Sequence, residues 1–209
     1  MKRRKFFTGG LVAGAFAGLP DVSAGELQRT PAQTEGPFYP VMALKDKDFD
    51  LTRIEGQEGT ALGRIITIIG KVSDTDGNAI EGATVDLWQA NAAGRYRHPH
   101  ESNTAPLDPN FQGWAVVPSG KSGEFRFKTI VPGAYPASKG WFRPPHIHFK
   151  VTKLGYLELT TQMYFPGEKW NDTDRILQRL PETERALLIA NLVDGQVDTY
   201  SFNMVLEKA

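Results

Sequence analysis

The chain has 209 residues, 24 basic against 24 acidic side chains, 40% hydrophobic and 23% charged residues, and no cysteine. That length suits one domain with extensions and a core that needs no covalent staple, while the balanced charge excludes wholesale disorder and a surface built to attract nucleic acid. Without cysteine there are no disulfides, thiolate nucleophiles, zinc ribbons or iron–sulfur clusters, so any metal must be held by nitrogen and oxygen.

Residues 1–24 read as an export address. MKRRKFF is basic, the apolar run TGGLVAGAFAGLP is short for a membrane span, and VSA ending at Ala24 suits signal cleavage. Arg3-Arg4 ahead of Phe6 and Phe7 resembles the twin-arginine signal, which carries folded, cofactor-loaded proteins across the bacterial inner membrane. The expectation is an exported bacterial protein, periplasmic or extracellular, with no stable membrane anchor. Losing Lys2, Arg3, Arg4 and Lys5 against Asp21 leaves the remainder net acidic.

Residues 25–62 are irregular, and TPAQTEGPFYP reads as an arm laid over the fold. The body, residues 63–209, changes character. RIITIIGKV is rich in β-branched residues and long enough for a buried strand, and SDTDGNAIEGA is turn chemistry around an Asp-Gly step. TVDLWQA alternates, followed by GWAVV, the turn PSGKSG, and EFRFKTI with Phe125, Phe127 and Thr129 on one face. PHIHFKV, LTTQMYF and YSFNMVLE continue the series. Short strands punctuated by Gly, Pro and Asp predict an all-β fold, an antiparallel β-sandwich or barrel-like core. In DTDRILQRLPETERALLIANL, Leu177, Leu180, Leu187 and Leu188 recur at helical spacing and Pro181 breaks or restarts the helix. A short helical segment beside the sandwich is therefore predicted near the C-terminus.

RPPHIHF, residues 143–149, carries two of the four histidines. On a strand His146 and His148 share one face and Ile147 takes the other, and Ile147 with Phe149 marks that other face as core. Two adjacent imidazoles can share one metal ion, although such a pair also occurs simply as packing. The second pair, His98 and His100, sits in a polar loop around Pro99. Carboxylates nearby are few, which leaves Tyr96 in GRYRH and Tyr135 in VPGAYP as oxygen donors. A phenol ligates strongly only as phenolate, which requires a hard, highly charged ion such as ferric iron. Each tyrosine also fits a purely structural part. GKVSDTDGNAIEGATVDLWQANAAGRY resembles the opening of transthyretin-like sandwich modules, so a secreted binding module without catalysis is the alternative. Trp88 and Trp114 read as core or support.

The joint pattern discriminates between these readings. GRYRH, APLDPNF, VPGAYP, RPPHIHF and TTQMYFPG, in that order and preceded by TEGPFYP, resemble the intradiol ring-cleavage dioxygenases over about residues 30–206, most closely the iron-binding β subunit of the protocatechuate type. The resemblance implies one non-haem Fe(III) per chain, held by Tyr96, Tyr135, His146 and His148 with water or hydroxide as the fifth ligand. Two phenolates and one hydroxide neutralise the trivalent ion, which lowers the cost of burying it. It further implies a dioxygenase that takes a catecholic small molecule, protocatechuate-like, and O2, and opens the ring between the hydroxyl-bearing carbons to a cis,cis-muconate-type diacid. Tyr135 matches the ligand that leaves when the catechol binds and that takes up its proton. Arg143 matches the arginine that stabilises the electron-rich ring, and Gln162 and Tyr164 match residues that hydrogen-bond the ligands or the substrate. A homo- or hetero-oligomer is implied as well, since the protocatechuate enzymes pair this subunit with an iron-free one. The chain departs from that pattern in PASKGWF, between Tyr135 and Arg143, which is shorter and has Ala137 in place of a tryptophan.

Overall fold

The computed structural model describes residues 27–41 and 46–209. The expected export segment, residues 1–24, lies outside the described residues. In chain order the strands are β1 (Ile65–Asp74), β2 (Thr84–Trp88), β3 (Trp114–Pro118), β4 (Glu124–Ile130), β5 (Tyr135–Ser138), β6 (Trp141–Arg143), β7 (His146–Thr152), β8 (Leu159–Tyr164), β9 (Asn191–Leu192), β10 (Thr199–Ser201) and β11 (Met204–Leu206).

Two sheets face each other. In the first, β1 pairs antiparallel with β4 along one edge. Its other edge takes β10 and then β11, both parallel, so this sheet is mixed rather than purely antiparallel. The reason is length: ten-residue β1 is long enough for two three-residue strands to dock end to end along it. The second sheet, in the order β3-β2-β7-β8, is antiparallel throughout. Ile66, Ile68, Val72, Phe125 and Phe127 of the first sheet share one buried cluster with Val85, Leu87, Ile147, Phe149, Val151 and Met163 of the second. Alternation along each strand dictates this, since every second side chain meets the opposite sheet.

The arm is part of the body it covers. Gln33 N–H donates to the Thr160 carbonyl and Thr161 Oγ1 to the Pro31 carbonyl, laying the arm along β8. Further on, Leu51 is fully buried in the core, with its N–H bonded to the Lys128 carbonyl of β4.

The predicted helical segment is shorter than the leucine spacing suggests. It consists of 3-10 turns at Asn171–Thr173 and Leu177–Arg179 and one α-helix, α1 (Glu182–Ala186), immediately after Pro181. Asp174 lies between the turns in an extended conformation and interrupts the helical run. Leu177 and Leu188 are buried while Leu187 is exposed, and Ala190 and Leu188 bond on either side of Tyr164, docking the segment on β8. Among the described residues no helix is long and apolar enough to cross a membrane.

Candidate metal centre and active site

The second sheet turns Ile147, Phe149 and Val151 into the core, so His146, His148 and Lys150 emerge on its outer face. Register then sets their neighbours. Trp88 and Gln162 lie directly opposite His148 on the two flanking strands, and Tyr164 lies opposite His146. Directly opposed residues share a face, so β2, β7 and β8 present Trp88, His148, Gln162, His146 and Tyr164 together.

The two tyrosines arrive from loops. Asn91 organises the first: its side-chain oxygen accepts the Ala93 and Arg95 N–H groups, and its amide donates to the Pro106 carbonyl. Gly94 has φ +76° and sits so close to the second loop that a Cβ there would lie 2.7 Å from the Ala134 carbonyl oxygen. Only glycine permits that approach, which brings Tyr96 and Tyr135 together with ring centroids 5.8 Å apart. On the hairpin β5–β6, Tyr135 stands directly opposite Arg143.

The result is a compact constellation. Tyr96 Oη and His146 Nε2 are 3.3 Å apart, the two imidazole centroids 4.9 Å, and Tyr135 lies 5.8 Å from His146. His146 Nδ1 lies 2.7 Å from the Pro144 carbonyl, which fixes the proton on Nδ1 and leaves the Nε2 lone pair facing Tyr96. His148 Nδ1 has no hydrogen-bond partner among the described residues; its ring is instead stacked face to face on Trp88 at 4.8 Å. Gln162 and Tyr164 lie beside Arg143, 2.5 and 3.2 Å from its Nη2. All seven residues singled out in the sequence, Tyr96, Tyr135, Arg143, His146, His148, Gln162 and Tyr164, are thereby brought together. His98 and His100 are not; they pair with each other on a loop, His98 resting edge-on against Phe38.

Electrostatics follow from burial. Burial, and then the Arg143 charge, push the His148 imidazole down to about 3; His146 is driven well below its usual range by burial, Arg143 and His148. Both imidazoles are neutral at physiological pH. Burial pushes the Tyr96 phenol well above its ordinary value, reinforced by Tyr135, and raises Tyr135 against the opposing pull of Arg143. Without a cation both phenols keep their protons.

Two neutral imidazoles and two phenols suit a metal of high charge. Among the described residues no cluster of three or more His, Cys, Asp or Glu exists, so a carboxylate-rich site for calcium or magnesium is not offered. Glu101, beside Tyr96, is engaged with the Tyr96 and Asn103 N–H groups, and Asp174 with Arg143. An ion that displaces two buried phenolic protons must be a strong Lewis acid, and ferric iron fits that donor set.

Beside the donors opens a cleft of about 500 Å³, lined by Phe38, Glu101, Asn103, Tyr135, Trp141 and Arg143 among others. The arm forms one wall. Phe38 stacks on Tyr96 at 4.8 Å, and Gly36, at φ +72°, passes close to His148 where a Cβ would lie 3.5 Å from its Cε1. Sequence reasoning placed the arm over the fold but missed these contacts, along with Asp174, which is fully buried against Arg143. The signal available for Asp174 was an aspartate just ahead of Ile176 and Leu177, a turn-capping pattern hidden inside a leucine-spaced run.

Residues 34–208 match the protein-family model described as Dioxygenase. The chain is 40% identical over 179 residues to the protocatechuate 3,4-dioxygenase beta chain of Burkholderia cepacia, covering 81% of this chain and 76% of that one. It is 30% identical over 198 residues to the chlorocatechol 1,2-dioxygenase of Cupriavidus pinatubonensis, covering 86% of this chain and 70% of the relative. Among solved structures, the dioxygenase domain of a dioxygenase carbohydrate-binding protein fusion from Streptomyces sp. SirexAA-E is similar with a TM-score of 0.65 at 29% identity, over 87% of this chain and 100% of that chain.

Proposed function

The chain belongs to the intradiol ring-cleavage dioxygenases, and from that premise we propose that it converts a catechol-type substrate, protocatechuate-like, and O2 into a cis,cis-muconate-type diacid. Both oxygen atoms enter the product, one on each of the carbons that carried a hydroxyl, and the bond between those carbons breaks. The observation that carries this reading is the grouping of Tyr96, Tyr135, His146 and His148, with Tyr96 Oη 3.3 Å from His146 Nε2 and the ring centroids of neighbouring members 4.9 to 5.8 Å apart, beside a cleft lined by Tyr135 and Arg143. A secreted binding module without catalysis has no support among these relatives.

Tyr96, Tyr135, His146 and His148 would hold one non-haem Fe(III) per chain. When bound, the iron would supply Lewis acidity that makes the catechol ring reactive toward dioxygen. The protein's own groups do the rest. Tyr135 is the more accessible phenol and lines the cleft, so its oxygen is placed to take up a proton from an incoming catechol hydroxyl. Arg143, buried yet lining the same cleft, holds a permanent positive charge against the ring as negative charge develops on it. Gln162 and Tyr164 brace that guanidinium, and Phe38 with the arm keeps water from Tyr96.

The same reading takes residues 25–62 and 63–209 as arm and catalytic body of one unit, exported behind residues 1–24 to the periplasm or beyond by the twin-arginine route. Relatives named as alpha and beta chains of one enzyme support assembly into a homo- or hetero-oligomer.

The test is the visible spectrum of the purified protein with iron quantified in the same sample, repeated after anaerobic addition of a catechol. One iron per chain and a tyrosinate-to-iron charge-transfer band that moves with the catechol are expected. A protein that stays colourless after ferric loading would overturn the four-residue site.

A further inference from the structure

We propose that Asp174 is the positioning residue for Arg143, fixing which edge of the guanidinium faces the substrate; this rests on the role given to Arg143 above. Arg143 is 4% exposed and Asp174 0%. Arg143 Nε donates to Asp174 Oδ2 at 2.6 Å, and Nη2 donates to Gln162 Oε1 at 2.5 Å and to Tyr164 Oη at 3.2 Å. Among the described residues Nη1 has no protein partner. A planar group held at two of its three nitrogens cannot rotate, and the third nitrogen is the one left for the cleft that Arg143 lines with Tyr135.

Asp174 is itself held rigidly. Its Oδ1 accepts the Ile176 and Leu177 N–H groups at 2.7 and 2.8 Å, which ties the carboxylate to a turn anchored by buried Leu177. One carboxylate thus performs two separable tasks, capping a turn with one oxygen and orienting a catalytic cation with the other. Without the second task Arg143 would keep its charge but lose the fixed direction that gives that charge its effect on the reacting ring, and small misplacements of that kind are costly to turnover.

Asp174→Asn separates the tasks, because the amide oxygen can still cap Ile176 and Leu177 while the carboxylate opposite Nε is lost. The expected result is kcat lower by about 10- to 100-fold, KM within about threefold, and iron content and visible band unchanged. In an Arg143→Ala background the same substitution should cost no further turnover. Unchanged kcat, or the same loss with and without Arg143, would overturn the inference. If Asp174→Asn does not fold, Asp174→Ser keeps a capping oxygen for the Ile176 and Leu177 N–H groups and removes the oxygen opposite Nε; a similar kcat loss with normal iron supports the inference, and full turnover overturns it. The two readings fail separately: wild-type turnover in Arg143→Ala removes the role of Arg143, whereas a slow Arg143→Ala beside a normal Asp174→Asn removes only that of Asp174.

Discussion

His148 differs from His146 in how its ring is oriented. A metal-binding histidine is ordinarily steered by a hydrogen bond from its second nitrogen, which His146 has at the Pro144 carbonyl; among the described residues His148 Nδ1 has no such partner, and the ring is stacked on the face of Trp88. Trp88 is 1% exposed, so its ring is a fixed wall rather than a mobile neighbour. Trp88→Leu should therefore weaken iron retention by about 10- to 100-fold in chelator competition, while Trp88→Phe retains most of it. Asp74 offers a test remote from the site. Burial pushes its carboxyl upward, but hydrogen bonds from Asn78 and the Lys208 ammonium prevail and hold it below the usual range. A depressed folded value means that the unfolded chain binds more protons as pH falls, so this stabilisation is complete above about pH 4 and is lost on further acidification. In urea unfolding, the deficit of Asp74→Asn relative to wild type should shrink as pH is lowered from 6 to 3.

At the scale of elements, β7 carries two functions on its two faces. Ile147, Phe149 and Val151 secure it in the core, and the same alternation forces His146 and His148 outward. A rigid, doubly buried strand is thus the platform for the site, and this much was readable from RPPHIHF because a period of two needs no tertiary information. The arm is the opposite case. Its proline-rich sequence has no periodicity, yet Leu51 is 0% exposed and Phe38 stacks on Tyr96. Leu51→Ala should lower the unfolding free energy by about 2–5 kcal/mol, measured by denaturant titration, because the cavity opens between sheet and arm. A loss within experimental error would show the arm to be an appendage.

For the whole molecule, function joins a sandwich core to a site built outside it. The main cluster lies between the sheets, whereas Trp88, Ala90 and Tyr96 form a second cluster with Phe38, Tyr39, Trp114 and Tyr135 against the outer face. That arrangement lets the fold be stabilised without apolar side chains filling the cleft. The proposed export is tested at this scale too: replacing Arg3-Arg4 by Lys-Lys should leave the protein in the cytoplasm on cell fractionation, and undiminished export would exclude the twin-arginine route. The sequence by itself determined the all-β class, the strand that presents His146 and His148, and the ordered motifs that single out Tyr96, Tyr135 and Arg143, since each is encoded in local alternation, turn chemistry or a contiguous stretch. Only the tertiary structure decided the parallel docking of β10 and β11 on β1, the stacking of Trp88 on His148, the arm's closure over Tyr96 and the grip of Asp174 on Arg143. These join residues far apart in the chain, and no local pattern records which distant segment will supply the partner.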